Sequence, residues 1–431
     1  MRGTHGWSEV DAARKREIIE GVVSGRATRG PVHAEIDITD RCNVACYFCN
    51  QQDVRTKEQI SLGHLTRIVD ELVAGGLRSI RMSGGGDPLF HRDILGFLDH
   101  VHSRGVVVDN LTTNGALLTR EIAGRLVAHR AREVIFSLNA VDEADYHRMM
   151  QSQPATFGKV VANVRGLREA RGASDAPCIV VQFLIDRVNF RELPRMYELG
   201  RSLGADRIAV ASVNEIPLDR IAGDVLLRPE DAGAIRPYLA QILERDKADR
   251  RLQIDFLHPA WNEVLWELQR ELGYGGDGQP LFPTARTFRE KDGHCFFGWY
   301  TATIRGNGDV YPCCLLMQPD YEPLGNAVNG RFVDVWNGPA FTQMRREQRD
   351  VLLAGESAEF DPGRYQVIRP QCVESGACWL KNMYFRGDEA FYRELARALD
   401  SARRLDRWRR PVGNLLRRIR ALLRRSPAAA H

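Results

Sequence analysis

The chain has 431 residues, 44% of them hydrophobic and 27% charged, which is enough for one large α/β core and a smaller module. It contains no run of about eighteen apolar residues and no secretory signal, so a membrane span is excluded and a cytoplasmic protein is expected. The formal charge is +4, but residues 401–431 hold ten arginines and one acid and carry +9, which leaves −5 on the rest and disfavours nucleic-acid binding by the body.

Strand and helix patterns alternate from about residue 33 to about residue 215, after a short predicted helix at 10–23. Six strands are predicted at residues 33–39, 79–83, 106–111, 133–138, 178–185 and 207–213. Strand-then-helix repetition indicates parallel βαβ units with right-handed crossovers. The predicted fold is therefore α/β, a partial (β/α)6 TIM-like barrel, with its chemistry at the C-terminal ends of the strands.

Polar, cysteine and glycine residues follow four of these strands, where they would meet at one rim. They are Cys42, Cys46 and Cys49, then Ser83 to Asp87, then Thr113 to Gly115, then Ser137 to Asn139.

Three cysteines, Cys42, Cys46 and Cys49, lie within eight residues after the first strand. A structural zinc site usually has four ligands in pairs, and no fourth Cys or His follows closely, so zinc is the weaker alternative to an iron–sulfur cluster. Three thiolates on a four-iron cube would leave one iron open to a cofactor. The C-x3-C-x2-C spacing, with the aromatic Phe48 before the last cysteine, resembles the signature of the radical S-adenosylmethionine (SAM) superfamily.

This resemblance implies that SAM chelates the open iron of a [4Fe–4S] cluster held by the three cysteines. One electron from the reduced cluster then cleaves SAM to a 5′-deoxyadenosyl radical. The protein would bind, orient and exclude water, because the cofactor supplies the difficult chemistry.

The glycine-rich segment after the second strand resembles the GGE motif of the same family, which cradles SAM. Its residues are Ser83, Gly84, Gly85, Gly86 and Asp87, with Asp87, which is one methylene shorter, in the place of the motif's Glu. Glycine allows backbone carbonyls to approach a ligand amine without a Cβ between them. A glycine-rich segment alone is typical of an ordinary turn, but its place after strand two favours the cradle.

Five further residues are predicted SAM contacts on the same resemblance. Asn114 resembles the Asn of a TNG segment, although Asn-Gly is also a common turn pair. Ser137 and Asn139 resemble the family's polar pair, which contacts the SAM ribose and carboxylate. Arg148 resembles the arginine that pairs with the SAM carboxylate, with a surface arginine as the alternative. Gln182 is a buried amide that would face SAM or be satisfied within the core.

The remaining cysteines, apart from Cys178 in a core strand, belong to a C-terminal module. They are Cys295, Cys313, Cys314, Cys372 and Cys378. The C-x12-G-x4-C run from Cys295 through Gly308 to Cys313 resembles the start of the SPASM/twitch extension of radical SAM enzymes, with a tight hairpin at the glycine.

That second resemblance implies one auxiliary [4Fe–4S] cluster, because the three further cysteines of a full SPASM domain are missing. Its four ligands would be Cys295, Cys313, Cys372 and Cys378. Cys314 is an alternative to Cys313, and a zinc ribbon is an alternative to the cluster. A cluster whose irons are all thiolate-bound would act by electron transfer.

These patterns divide the chain into five predicted parts. They are an N-terminal helix at 1–30, a radical SAM core at 31–235, a helical linker at 236–284, a SPASM/twitch module at 285–390 and a basic amphipathic helical tail at 391–431. The tail would touch an anionic membrane surface, nucleic acid or a partner, or pack on the body with its arginines solvated.

The leading prediction is a radical SAM enzyme of oxidoreductase or maturase type in natural-product biosynthesis. Its substrate would be a ribosomally made peptide or a sugar or aminocyclitol, and its reductant a flavodoxin or ferredoxin. An RNA-modifying enzyme that uses the Arg-rich tail is the alternative, and a non-catalytic scaffold is disfavoured by the three N-terminal cysteines together with the glycine cradle.

Overall fold

The computed structural model describes residues 7, 10–49, 51–52, 56–213, 225–254, 259–273, 295–355, 358–373, 388 and 390–405. Cys378 and the predicted tail helix beyond residue 405 lie outside these residues. No helix in the described ranges is long and apolar enough to cross a membrane.

Seven parallel strands form an open sheet in which the spatial order follows the chain order. They are β1 (His33–Ile36), β2 (Ser79–Met82), β3 (Val107–Thr113), β4 (Glu133–Ser137), β5 (Cys178–Ile185), β6 (Arg207–Ser212) and β7 (Leu252–Ile254). All seven are parallel to their neighbours because a helix crosses over between consecutive strands. The six predicted strands and the α/β partial-barrel class are confirmed; β7, three residues within the predicted helical linker, was not predicted.

The crossover helices cover the sheet with their apolar stripes. They are α2 (Leu62–Ala74), α3 (Ile94–Ser103), α4 (Arg120–Ala128), α5 (Glu143–Met150), α6 (Thr156–Arg171), α7 (Leu193–Ser202), α8 (Ala232–Asp249) and α9 (Pro259–Glu271), and α1 (Ala12–Ser24) precedes the first strand. In α2 the Ser61 side chain caps the first turn by accepting from the His64 N–H, and Leu65, Ile68 and Leu72 are fully buried. The i, i+3, i+7 spacing of these residues explains why this segment forms a helix against the sheet.

The C-terminal part joins the same sheet. Strand β8 (Thr301–Ile304) pairs in parallel with β1, and β9 (Val310–Tyr311) pairs antiparallel with β8. Its helices are α10 (Phe297–Tyr300), α11 (Phe332–Trp336), α12 (Pro339–Ala354), α13 (Pro370–Val373) and α14 (390–405). Cys313 and Cys314 therefore follow closely after a strand that continues the main sheet past β1, and Cys372 lies on α13.

A second apolar cluster brings Trp7 and α1 together with α14. Trp7 packs edge-on against Phe391 with ring centroids 4.7 Å apart and against Tyr300 at 5.2 Å. Its indole N–H donates to Asp388 at 3.0 Å. Cys295 and Cys313 belong to this cluster and Cys372 packs against it, so these three thiols lie in apolar surroundings.

Candidate active site

A cavity of about 320 Å³ lies at the C-terminal ends of β1 to β6. It is lined by Cys42, Val44, Cys46, Phe48, Cys49, Ser83, Gly84, Gly86, Asp87, Thr112, Thr113, Asn114, Ser137, Asn139, Met150, Leu184, Ser212 and Val213. The structure thus brings together the three cysteines and most of the predicted SAM contacts. Three predicted contacts, Gly85, Arg148 and Gln182, are not among the lining residues.

The cysteine loop is fastened to the end of α5. The Ala45 N–H donates to the Met150 carbonyl at 3.1 Å, and Sγ of Cys46 lies 3.5 Å from Sδ of Met150. The Tyr47 hydroxyl donates to the buried carboxylate of Asp186. Burial and the Asp186 charge raise the pKa of Tyr47, so the hydroxyl stays protonated and keeps this hydrogen bond. Met150 and Asp186 were missed in the sequence because each lies about a hundred or more residues from the loop.

The segment Ser83 to Gly86, the glycine turn, packs so closely against the residues before Cys42 that Gly85 and Gly86 have no room for a side chain. A Cβ on Gly86 would lie 2.1 Å from the Arg41 carbonyl oxygen, and one on Gly85 would lie 2.4 Å from Oδ1 of Asp40. The Asp87 N–H donates to the Arg41 carbonyl at 2.9 Å. The glycines therefore allow two loops of the cavity to touch along their backbones.

Asp87 joins the glycine turn to the end of β3. Its carboxylate accepts from the Thr113 hydroxyl at 2.9 and 3.0 Å and from the Asn114 N–H at 2.8 Å. It also accepts from the Leu89 N–H at 2.9 Å. These bonds place Asn114, whose Nδ2 lies 2.8 Å from Oδ1 of Asn43 and 3.9 Å from Sγ of Cys42. Although its side chain is one methylene shorter than that of glutamate, Asp87 thus reaches both the Leu89 N–H and the end of β3.

The ends of β4 and β5 complete the opposite wall. Asn139 adopts a left-handed backbone with φ 60°, and its side-chain oxygen accepts from the Leu184 N–H at 3.0 Å. The carbonyl of Gln182 accepts from the N–H groups of Leu138 and Asn139 at 3.0 and 3.2 Å. Gln182 shares a face of β5 with Leu184, which lines the cavity, but lies deeper along the strand.

Arg148 is held in an ion-pair network. Its Nη1 lies 3.0 Å from Asp186, which is fully buried, and its Nη2 lies 2.7 Å from Asp145. These two carboxylates engage the guanidinium and so hold α5 to the end of β5, while the pairing of Arg148 with a SAM carboxylate stays a prediction.

In the C-terminal module, Cys313 and its neighbour Cys314 face different surroundings. Tyr321 and Cys313 belong to one apolar cluster, and Cys372 packs against it. Burial raises the pKa of Tyr321, and the charges of Cys313 and Cys372 raise it further. Cys295 accepts from the Gln348 amide at 3.7 Å and belongs to the same apolar cluster as Cys313.

Cys314 instead contacts Glu35 of β1. Burial and the charge of Glu35 raise the pKa of this thiol well above its ordinary value, while Arg81 lowers it. The contact with Glu35 is specific to Cys314, and Cys313 as the partner of Cys295 and Cys372 stays a prediction.

The donor set fits an iron–sulfur cluster with SAM. Soft thiolates face a cavity whose other walls are glycine backbone, amides and hydroxyls, the groups that bind an amino acid and a nucleoside. Among the described residues, no group of three or more His, Cys, Asp or Glu side chains is arranged to hold a single metal ion.

Comparison with known protein families gives two matches. Residues 36–200 match the model of the radical SAM superfamily, and residues 295–354 match that of SPASM, an iron-sulfur cluster-binding domain. The first match covers the cysteine loop and the ends of β2 to β5, but not the end of β6 at Ser212 and Val213.

Two kinds of curated relatives are similar in sequence. PqqA peptide cyclase from Streptomyces rochei is 25% identical over 319 residues, 72% of this chain and 76% of the relative. A probable GTP 3′,8-cyclase from Methanosarcina acetivorans is 32% identical over 175 residues, 39% of this chain. The chain spans about half the length of such cyclases, 50% for this one and 55% for that of Methanocaldococcus jannaschii.

Two solved structures share the fold. Streptococcus suis SuiB has a TM-score of 0.56 at 17% identity, over 77% of this chain and 71% of SuiB. The structure of anSMEcpe with bound AdoMet and Cp18Cys peptide has a TM-score of 0.54 at 15% identity, over 89% of this chain and 99% of that protein.

Proposed function

We propose that this chain, which combines a radical SAM domain with a C-terminal SPASM iron–sulfur domain, is an enzyme that cleaves SAM reductively and oxidises a peptide substrate. The observation that carries the proposal is the cavity that joins Cys42, Cys46 and Cys49 to the glycine turn and to Asn114. When bound, the cluster would supply one electron to SAM and so generate a 5′-deoxyadenosyl radical that takes a hydrogen atom from the substrate.

The chain's own residues would bind and orient the cofactors. Cys42, Cys46 and Cys49 would hold the first cluster, and Ser83 to Gly86 would present backbone groups to the SAM amine. Ser137 and Asn139 would contact the ribose or carboxylate from the opposite wall. Cys295, Cys313 and Cys372, with Cys378, would hold the auxiliary cluster, which would take the remaining electron from the substrate.

A peptide substrate is supported by the extent of the similarity. The match to PqqA peptide cyclase extends over 72% of the chain, whereas the match to the Methanosarcina GTP 3′,8-cyclase covers 39%. SuiB, which shares the fold, has been solved bound to the precursor peptide SuiA. These relatives do not favour the alternative of an RNA-modifying enzyme.

The test is anaerobic purification followed by iron analysis and a SAM-cleavage assay with dithionite. About eight irons per chain are expected for two [4Fe–4S] clusters, together with formation of 5′-deoxyadenosine. A variant with Cys42, Cys46 and Cys49 all changed to Ala should keep about four irons and make no 5′-deoxyadenosine. Zinc at this loop, or cleavage that survives in the variant, would contradict the proposal.

A further inference from the structure

Glu35 in β1 and Asp37, the residue just after β1, both carry buried carboxyl groups. Alternate residues of a strand face the same side of a sheet, and the Asp37 N–H continues the pairing with β8 by donating to the Ile304 carbonyl at 2.8 Å. Glu35 and Asp37 are 3% and 4% exposed. Glu35 is aligned with Arg81 on β2 and with Thr303 on β8.

Asp37 has more negative than positive charge around it. Neither of its oxygens accepts a well-formed hydrogen bond from the described residues. Burial raises the pKa of Asp37 well above its ordinary value, and the charges of Glu35 and Asp40 raise it further. The Gly85 N–H and Arg305 offset this only in part, since Arg305 already pairs with Asp40 at 3.2 Å.

Glu35 is the better compensated member of the pair. Burial raises its pKa, while Arg81 and the Cys314 thiol lower it. Two adjacent buried carboxyls, each only partly offset by an arginine, are expected to share a proton, and Asp37 is the favoured site because its pKa is raised more strongly than that of Glu35. The pair therefore has room for a second proton.

The Glu35–Asp37 pair lies between the cavity and the C-terminal module. A Cβ on Gly84, which lines the cavity, would lie 2.9 Å from Oδ1 of Asp37. At the other end Glu35 contacts Cys314, the residue after Cys313. The pair thus lies between the place where the substrate would be oxidised and the place where its electron would go.

The proposed oxidation needs a proton acceptor. After hydrogen abstraction the substrate radical forms one new bond and gives up one electron and one proton. The electron would go to the auxiliary cluster, which Cys295, Cys313, Cys372 and Cys378 would hold. We propose that the Glu35–Asp37 pair takes up that proton as the auxiliary cluster takes up the electron. This inference rests on the proposed function.

The coupling can be measured without a substrate. In the holoenzyme with SAM, the midpoint potential of the auxiliary cluster is followed by electron paramagnetic resonance at several pH values. Added negative charge on the cluster raises the proton affinity of the nearby pair, so the potential should become more negative as the pH rises through the range in which the pair titrates. This dependence should be lost in Asp37→Asn and in Glu35→Gln.

Infrared spectroscopy supplies a second readout. The resting protein should show the C=O band of a protonated carboxylic acid near neutral pH, and Asp37→Asn should remove it. Asp109→Asn is the matched control, because Asp109 is also 4% exposed but pairs with Arg132 at 2.7 Å. It should leave the band and the pH dependence unchanged.

The inference would be overturned if the midpoint potential of the unaltered protein did not vary with pH. It would also be overturned if the potential varied with pH in both variants as much as in the unaltered protein. Because each carboxyl is changed separately, failure of one variant to fold leaves the other to decide. The proposed function fails separately, through absence of 5′-deoxyadenosine from the unaltered enzyme.

Discussion

Asp40 and Arg305 form a buried ion pair that joins the cysteine loop to the hairpin of the C-terminal module. Their nearest oxygen and nitrogen are 3.2 Å apart, and the two side chains are 0% and 4% exposed. Asp40 also accepts from the Thr56 hydroxyl at 2.7 Å. Residues 265 positions apart in sequence therefore fix the two cluster loops relative to each other.

Replacing Asp40 by Ala should destabilise the protein strongly. The change leaves the Arg305 charge buried without its carboxylate, which typically costs about 3–5 kcal/mol of unfolding free energy. Urea denaturation followed by circular dichroism measures the loss. Arg130→Ala is the control, because Arg130 and Asp175 form an exposed pair worth less than about 1 kcal/mol. An equal loss of unfolding free energy in the two variants would show that the buried pair contributes no more to stability than the exposed one.

Gly86→Ala should disrupt the cavity. Its new Cβ would meet the Arg41 carbonyl at 2.1 Å, so the cysteine loop or the glycine turn must shift. We expect reduced iron loading and at least a tenfold loss of SAM affinity by calorimetry. Gly124→Ala in α4, where no atom lies within 4 Å of the new Cβ, should instead stabilise the chain by about 0.5–1 kcal/mol. Unchanged SAM binding in Gly86→Ala would refute the close-approach explanation.

Cys313→Ser and Cys314→Ser should separate the two adjacent cysteines. Cys313 shares an apolar cluster with Tyr321, against which Cys372 packs, whereas Cys314 contacts Glu35. Iron content should fall from about eight to about four in Cys313→Ser and remain near eight in Cys314→Ser. The reverse pattern would make Cys314 the ligand.

Arg148→Met should lower stability more than SAM affinity. The change removes the cationic partner of the buried Asp186 and should cost about 2–3 kcal/mol, whereas SAM binding should stay within about threefold. Both are measured on the same preparation, by urea denaturation and by calorimetry. A tenfold loss of SAM affinity at unchanged stability would instead support the predicted contact of Arg148 with the SAM carboxylate.

Cys178 should make stability depend on pH in the alkaline range. Burial raises its pKa from 9.0 to about 11. The unfolded chain therefore loses this proton first, and the contribution to stability, complete below pH 9, falls as the pH rises toward 11. Cys178→Ala should flatten this part of the stability profile. An identical profile in the variant would show that the thiol does not titrate differently on folding.

The sequence predicted the features that follow from local pattern. The six strands between residues 33 and 213 were found because β-branched runs alternate with amphipathic helices, and the cavity residues because they directly follow those strands. Strand β7 was missed because three residues give no periodicity. Arg148 was assigned by its place in a motif, but its partner Asp186 is 38 residues away and leaves no local signal. The pairing of β8 with β1 is likewise a contact between distant segments.

The pairing of β8 with β1 limits which parts of this protein can be removed or replaced. Strand β1 has β2 on one side and β8 on the other, so a truncated protein that ends before residue 295 would expose a row of main-chain donors and acceptors beside the cysteine loop. Such a fragment is expected to aggregate. A chimera that grafts a foreign SPASM domain onto this core would therefore need to bring its own equivalent of β8 in the matching register, along with its cysteines.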